Sequence, residues 1–187
     1  MVHLENCFCH DIKQLNLKTK VSFVIFKKEI FLPSNTAHLA VKSLQNAQIH
    51  ERGHKGLSLD KSFIDEGSYE PLFLYPAEDA TELEDHFIKN LSKPINLIIP
   101  DGTWRQAKKI HRREPLLNNI KQVKITPQNK SIYPLRRQKF KEGLCTFEAM
   151  SEALRVIEGL ECYESLMKNF RIFLDAHLKN RAIYKKP

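Results

Sequence analysis

The chemistry-bearing residues gather in one short stretch, Pro100-Asp101-Gly102-Thr103-Trp104, between the apolar run Ile95–Ile99 and a cationic segment ending at Arg113. Asp101 offers a carboxylate for general acid–base work. Gly102 permits unusual backbone angles or the close approach of a ligand. Thr103 suits a helix cap, and Trp104, the chain's single tryptophan, brings a broad stacking face with one N–H donor. An ordinary strand-to-helix turn with a core tryptophan uses the same residue types, so spacing alone leaves both uses open.

The segment that follows adds weight to the functional use. Arg105, Lys108, Lys109 and Arg112 recur at i, i+3, i+4 and i+7, which places them on one helix face, with Arg113 and His111 beside them. Like charges on one face repel, and a polyanion passing that face compensates them, phosphates releasing counterions as they meet Lys and Arg. A solvated helix face is the plainer alternative. A second cluster, Tyr133–Lys141 (YPLRRQKFK), interleaves aromatic and basic residues and suits RNA or phosphate. Within it, Arg136 and Arg137 offer planar forks for phosphate or carboxylate.

Other constellations carry less. No Walker pattern, GxGxxG or nucleophile elbow is present, which sets aside P-loop hydrolases, Rossmann dehydrogenases and α/β-hydrolases. Cys145 beside Thr146 reads better as a small buried residue at a helix start than as a nucleophile. Cys7, Cys9 and His10 form a tight C-x-C-H without a second CxxC, a poor zinc signature, so no metal is expected.

These residues need a scaffold. The chain has 187 residues, 42% of them hydrophobic, with 11 Phe, enough for one domain over 1–187 with a substantial core. Its 30 Lys+Arg against 22 Asp+Glu give +8, a balance that favours anionic partners. The apolar runs are far too short to span a bilayer, and no signal peptide is visible, so membrane association is not expected. Four cysteines without an export signal read as reduced thiols in the cytoplasm.

Strands are expected at Val21–Phe26, Pro71–Pro76, Ile95–Pro100 and Lys121–Thr126. Helices are expected after Ser34 or Asn35 as N-cap, over Asp79–Leu91, from Trp104, from a cap at Thr146 with Glu148 in its opening turn, and over Tyr163–Asn180. The alternation predicts an α/β fold, a mostly parallel sheet flanked by helices, with Ile95–Ile99 central and covered on both faces. Residues 53–70, polar and glycine-bearing, read as a flexible loop. Ligands in such sheets gather at the carboxyl ends of strands, where Pro100–Trp104 lies.

PDGTWRQAKKI resembles the signature of the DTW-domain family, named for an Asp, a Thr or Ser, and a Trp in this turn. SNTAHLAVKSLQNAQIHERG (Ser34–Gly53) is similar to the family's Asn-Thr-x-x-Leu helix and following Arg-Gly. YPLRRQKFKEGLCTFEAMSEAL (Tyr133–Leu154) is similar to its Tyr-x-x-Arg segment and Leu-x-Thr-x-Glu-Ala helix. Residues 1–12 resemble a remnant of the family's N-terminal cysteine cluster, of which only the C-x-C half is present.

The resemblance implies a relative of the SPOUT fold with a C-terminal knot. It implies transfer of the 3-amino-3-carboxypropyl group of S-adenosylmethionine to N3 of a tRNA uridine, releasing 5′-methylthioadenosine. The same transfer on rRNA and a SPOUT-like RNA methyltransferase are the alternatives, and a non-catalytic RNA-binding protein is a third reading. The roles implied are a base at Asp101 and donor binding by Gly102, Thr103, Trp104, Asn35, Thr36, Leu144 and Thr146. RNA contacts are implied at Arg105, Lys108, Lys109, Arg112, Arg113, Tyr133, Arg136 and Arg137. No protein partner is implied, and monomer and homodimer are both compatible.

Overall fold

Ile95–Asp101 forms strand β5, whose residues are all buried except Pro100. Burial on both faces follows from its sequence: Leu97 and Ile99 enter one apolar cluster while Ile98 enters another, as period-two alternation requires. The computed structural model describes residues 7–32, 35–52, 59–134 and 143–184, with side chains to residue 180. Its sheet has six strands in the order β2-β1-β5-β3-β6-β4. They are β1 (Lys20–Phe26), β2 (Ala47–Arg52), β3 (Glu70–Leu74), β4 (Thr81–Glu82), β5 and β6 (Lys121–Lys124). Every pairing between these strands is parallel, so their carboxyl ends share one edge of the sheet.

Helices cover both faces. On one lie α2 (Ala37–Ser43), α5 (Thr146–Glu158) and α6 (Leu160–Tyr184), whose Leu39, Phe147, Met150, Leu166 and Phe170 join Phe23, Leu97 and Ile99 in the larger cluster. On the other lies α4 (Trp104–Arg113), whose Ile110 packs with Val24, Phe73 and Ile98. Short α1 (Lys27–Ile30) follows β1, and α3 (Asp85–Lys89) follows β4.

Several expectations are corrected. The helix anticipated over Asp79–Leu91 is instead the edge strand β4 followed by α3. Leu83 N donates to Lys124 O at 2.8 Å, and Ala80 and Leu83 are buried, so pairing with β6 overrides local helix propensity. The helix after Asn35 ends at Ser43, and Ala47–Arg52 forms β2, an edge strand with only partial burial. Much of 59–70 is pinned rather than loose. Leu59, Phe63 and Ile64 are buried, and the Asn96 amide donates to Phe63 O (2.8 Å) and Ile64 O (3.0 Å). Residues 53–58 of the expected loop lie outside the described residues. Asn96, hidden in an apolar run, is the anchor: buried and fully engaged, it also accepts from Ser22 at 2.9 Å.

Candidate active site at the carboxyl ends of the strands

Asp101 ends β5 and is buried, with 3% of its surface exposed. Its carboxylate is held from two directions. Asn35 Nδ2 donates to Oδ2 at 2.5 Å, and the Thr146 hydroxyl donates to Oδ1 at 2.5 Å. A third link closes the arrangement, Phe147 N donating to Thr36 Oγ1 at 3.3 Å. The three quoted motifs, far apart in sequence, therefore meet at one carboxylate. Donors on both oxygens fix the carboxylate's orientation.

The turn after Asp101 requires its glycine. Gly102 has φ +139°, and a Cβ there would come within 2.8 Å of Gln106 Oε1. Thr103 caps α4 as expected, in a capping box with Gln106, whose Oε1 accepts from Thr103 N at 2.6 Å. Gln106 Nε2 reaches on to Glu29 Oε1 at 2.8 Å, tying α4 to α1.

Asn35 keeps its anticipated capping bond, whereas Thr146 departs from its anticipated capping role. Thr36 occupies the N-cap of α2, and Asn35 Oδ1 accepts from Ala37 N at 2.9 Å while its amide faces Asp101. Cys145 caps α5, which frees the Thr146 hydroxyl for Asp101. Ser34, the alternative cap, lies outside the described residues. Burial pushes the Cys145 thiol well above its ordinary pKa, which suits packing and not nucleophilic attack.

A cleft of about 540 Å³ opens over Asp101, within the range of small-molecule sites, roughly 300–1,000 Å³. Asn35, Thr36, Gly102, Thr103, Trp104, Leu144 and Thr146 all line it, as does Arg105. The N-termini of α4 and α5 both end at it, a positive electrostatic contribution that suits an anionic group. Trp104 is no core residue: 45% exposed, it stands in the cleft wall. Tyr133, expected among the RNA contacts, is only 6% exposed and packs on Phe170 at 5.9 Å, so it belongs to the cleft wall instead.

Lys108, Lys109, Arg112 and Arg113 lie outside the cleft on the exposed face of α4. Arg136 and Arg137 lie outside the described residues. Arg52, from the Arg-Gly of the second motif, secures the far end of α4. Its Nε donates to the buried Glu114 at 2.8 Å, its Nη2 to Arg113 O at 2.9 Å, and its guanidinium lies over Phe26.

Residue-by-residue reading missed two parts of the site. Tyr75, just past β3, lines the cleft with its ring stacked on His111 at 4.3 Å, and His111 Nε2 is 3.0 Å from Gln122 Oε1. His111 is thus the backing of an aromatic wall and not part of the basic face. Burial raises the Tyr75 pKa, keeping its hydroxyl a donor. The other is the reach of Glu148, which sits in the opening turn of α5 as expected: 3% exposed, it accepts from Ser131 Oγ (2.7 Å), Ile132 N (2.7 Å) and Cys145 N (2.9 Å). It binds the segment leading to Tyr133 onto the start of α5.

A mostly parallel α/β sheet with a motif-built cleft at its strand ends defines the class, and comparison with known proteins defines the family. The DTW domain model matches residues 1–178, and the chain belongs to the DTW-domain family. It is 32% identical over 117 residues to tRNA-uridine aminocarboxypropyltransferase 2 of Drosophila melanogaster, covering 62% of this chain and 46% of that protein. To the Mus musculus protein of the same name it is 33% identical over 112 residues, covering 59% and 38%. The aligned part thus spans less than half the length of these relatives. Among solved structures, the SAM-dependent rRNA:acp-transferase Tsr3 from Vulcanisaeta distributa shares the fold, with TM-score 0.57 and 16% identity, over 88% of this chain and 80% of that one. Among the described residues no helix is long and apolar enough to cross a membrane.

Proposed function

We propose that this protein transfers the 3-amino-3-carboxypropyl group of S-adenosylmethionine to N3 of a uridine in tRNA, releasing 5′-methylthioadenosine. One observation carries the reading: the buried carboxylate of Asp101 is held by Asn35 and Thr146 from two other motifs at the wall of a ligand-sized cleft. The names of the curated relatives and of the structural neighbour support it. A SPOUT-like C-terminal knot belongs to the same proposal. Its support is that the N-terminus of α5 lines one cleft together with residues at the carboxyl ends of β3, β5 and β6. The cytoplasmic reading follows from the cysteines and the RNA substrate.

The residues suit the donor. The cleft is largely apolar, with Tyr75 and Trp104 as aromatic walls for an adenosine, a sulfonium or a base. Arg105, Lys124 and two helix N-termini offer positive potential for a carboxylate. Bound there, S-adenosylmethionine supplies an electrophilic Cγ and a thioether leaving group. Asp101 takes the N3 proton as general base. The N3 pair then forms the bond to Cγ while the C–S bond breaks, its electrons returning to sulfur. Asn35 and Thr146 keep the carboxylate aimed throughout. Trp104, Thr103 and Leu144 constrain the donor so that Cγ, and not the methyl, faces the base. The exposed basic face of α4 carries the RNA backbone to the cleft.

The test is incubation with labelled S-adenosylmethionine and tRNA. Tritiated 3-amino-3-carboxypropyl-uridine with stoichiometric methylthioadenosine is expected. S-adenosylhomocysteine would shift the reading to a methyltransferase, and absence of donor binding in calorimetry would shift it to an RNA-binding protein. Asp101→Ala should abolish turnover and spare tRNA affinity. The structural neighbour is an rRNA:acp-transferase, which makes rRNA the second acceptor to test in the same assay.

A further inference from the structure

Phe31 is the most exposed large hydrophobic residue among those described, at 74%, and its neighbour Leu32 is 39% exposed. A side chain of this size forgoes a substantial hydrophobic stabilisation by facing water. It does so on a turn held by hydrogen bonds to its described neighbours. Leu32 N donates to Glu29 O at 3.1 Å, Asn35 N donates to Leu32 O at 2.9 Å, and His38 Nε2 is 2.6 Å from Ile30 O. The residues bracketing Phe31 both reach the catalytic turn: Glu29, itself buried, accepts from Gln106, and Asn35 donates to Asp101. Phe31 therefore lies, 74% exposed, between two residues that both reach the Asp101 turn, and its own side chain stays out of the core.

The exposed residues that lead into the ring are cationic. Lys27 and Lys28 are exposed on α1, one turn before it, and α4, joined to α1 through Glu29, carries its own basic face. An apolar ring among lysines suits a partner with both anionic groups and flat π-faces, which single-stranded nucleic acid has and a typical protein surface lacks. The proposed reaction supplies the need. N3 lies on the Watson–Crick edge of uracil, so the uridine must be unpaired and displaced from its stack to reach Asp101. The adjacent nucleobase then loses a stacking partner.

We propose that Phe31 is a stacking platform for the nucleobase next to the modified uridine, with Lys27 and Lys28 taking the accompanying phosphates. This inference rests on the RNA-modification reading above. It adds a second RNA contact region that is separate from the α4 face.

The experiment compares wild type, Phe31→Ala, Phe31→Leu and Phe31→Trp on a tRNA transcript at one fixed salt concentration. Phe31→Ala is expected to weaken binding about ten-fold or more, Phe31→Leu to resemble it, and Phe31→Trp to retain wild-type affinity. Donor affinity and melting temperature should stay at wild-type values in all of them, since the side chain packs on little. A 2-aminopurine placed beside the target uridine should be quenched on binding wild type and not Phe31→Ala. Unchanged tRNA affinity in Phe31→Ala overturns the proposal, as does full binding by Phe31→Leu, which would make the contact merely apolar. Loss of a dimer in sedimentation on Phe31→Ala also overturns it, in favour of a protein interface. If wild type releases methylthioadenosine with tRNA while Phe31→Ala matches it in every respect, this inference alone fails. If wild type neither binds tRNA nor releases methylthioadenosine, the underlying reading fails with it.

Discussion

Replacing Glu148 by glutamine tests how the cleft wall is built. The carboxylate takes three donors: Ile132 N on Oε1, and Ser131 Oγ with Cys145 N on Oε2. A glutamine amide has one oxygen to offer. With its nitrogen on the Oε1 side, the amide faces the Ile132 N–H. With its nitrogen on the Oε2 side, it faces the Cys145 N–H, although the Ser131 hydroxyl can rotate to accept. Either orientation leaves one backbone N–H without its acceptor in a site only 3% exposed, a loss of about 1–3 kcal/mol. With a urea slope of about 2 kcal/mol/M, the unfolding midpoint should fall by roughly 0.5–1.5 M. Glu161→Gln, on the exposed surface of α6, serves as control and should move stability by less than about 0.5 kcal/mol. Equal midpoints for the two variants would refute the reasoning, because the three bonds would then carry no net energy.

Thr146→Val keeps the side-chain volume but removes the hydroxyl on Asp101; turnover should drop roughly 10- to 100-fold with tRNA affinity kept, and Thr146→Ser should restore it, as product-release kinetics would show. Reversing Lys109 and Arg112 to Glu should weaken tRNA binding and lower the slope of log K against log salt by about one for each lost phosphate contact, read by filter binding across a salt series. Unchanged binding at low salt would remove α4 from the RNA path. Hydrogen bonding from Cys9 lowers the Cys7 pKa and burial raises that of Cys145, so iodoacetamide mapping by mass spectrometry should label Cys7 first as pH rises and Cys145 last.

The centre of the fold was legible because β5 signals itself locally: four apolar residues around Asn96, closed by Pro-Asp-Gly. The first turn of α4 was legible for the same reason, its Thr103 cap and basic face lying within one short segment. Edge strands left weaker traces. β2 carries Gln, His, Glu and Arg on a half-exposed strand, and its pairing with β1 is made by backbone groups that no side-chain pattern announces. Asp101, Asn35 and Thr146 were each identified, yet their joining could not be read, because hydrogen bonds across 66 and 45 residues depend on strand order. Tyr75 and His111 were missed as a wall for a related reason. Each looks ordinary in its own segment, and only adjacency of β3, β6 and α4 stacks them.

The meeting of three distant segments at Asp101 also has a temporal consequence. During synthesis at about 5–20 residues per second, the chain makes the Asn35 and Asp101 segments well before the Thr146 segment. The parallel sheet can align β1 with β5 early, but the carboxylate gains its last donor only after α5 is made and packed. A chain that stops short of Thr146 therefore has the sheet's central strands and no finished site. Under the proposed function, donor chemistry is in this way reserved for molecules that have completed their fold, and turnover would double as a report that folding is done.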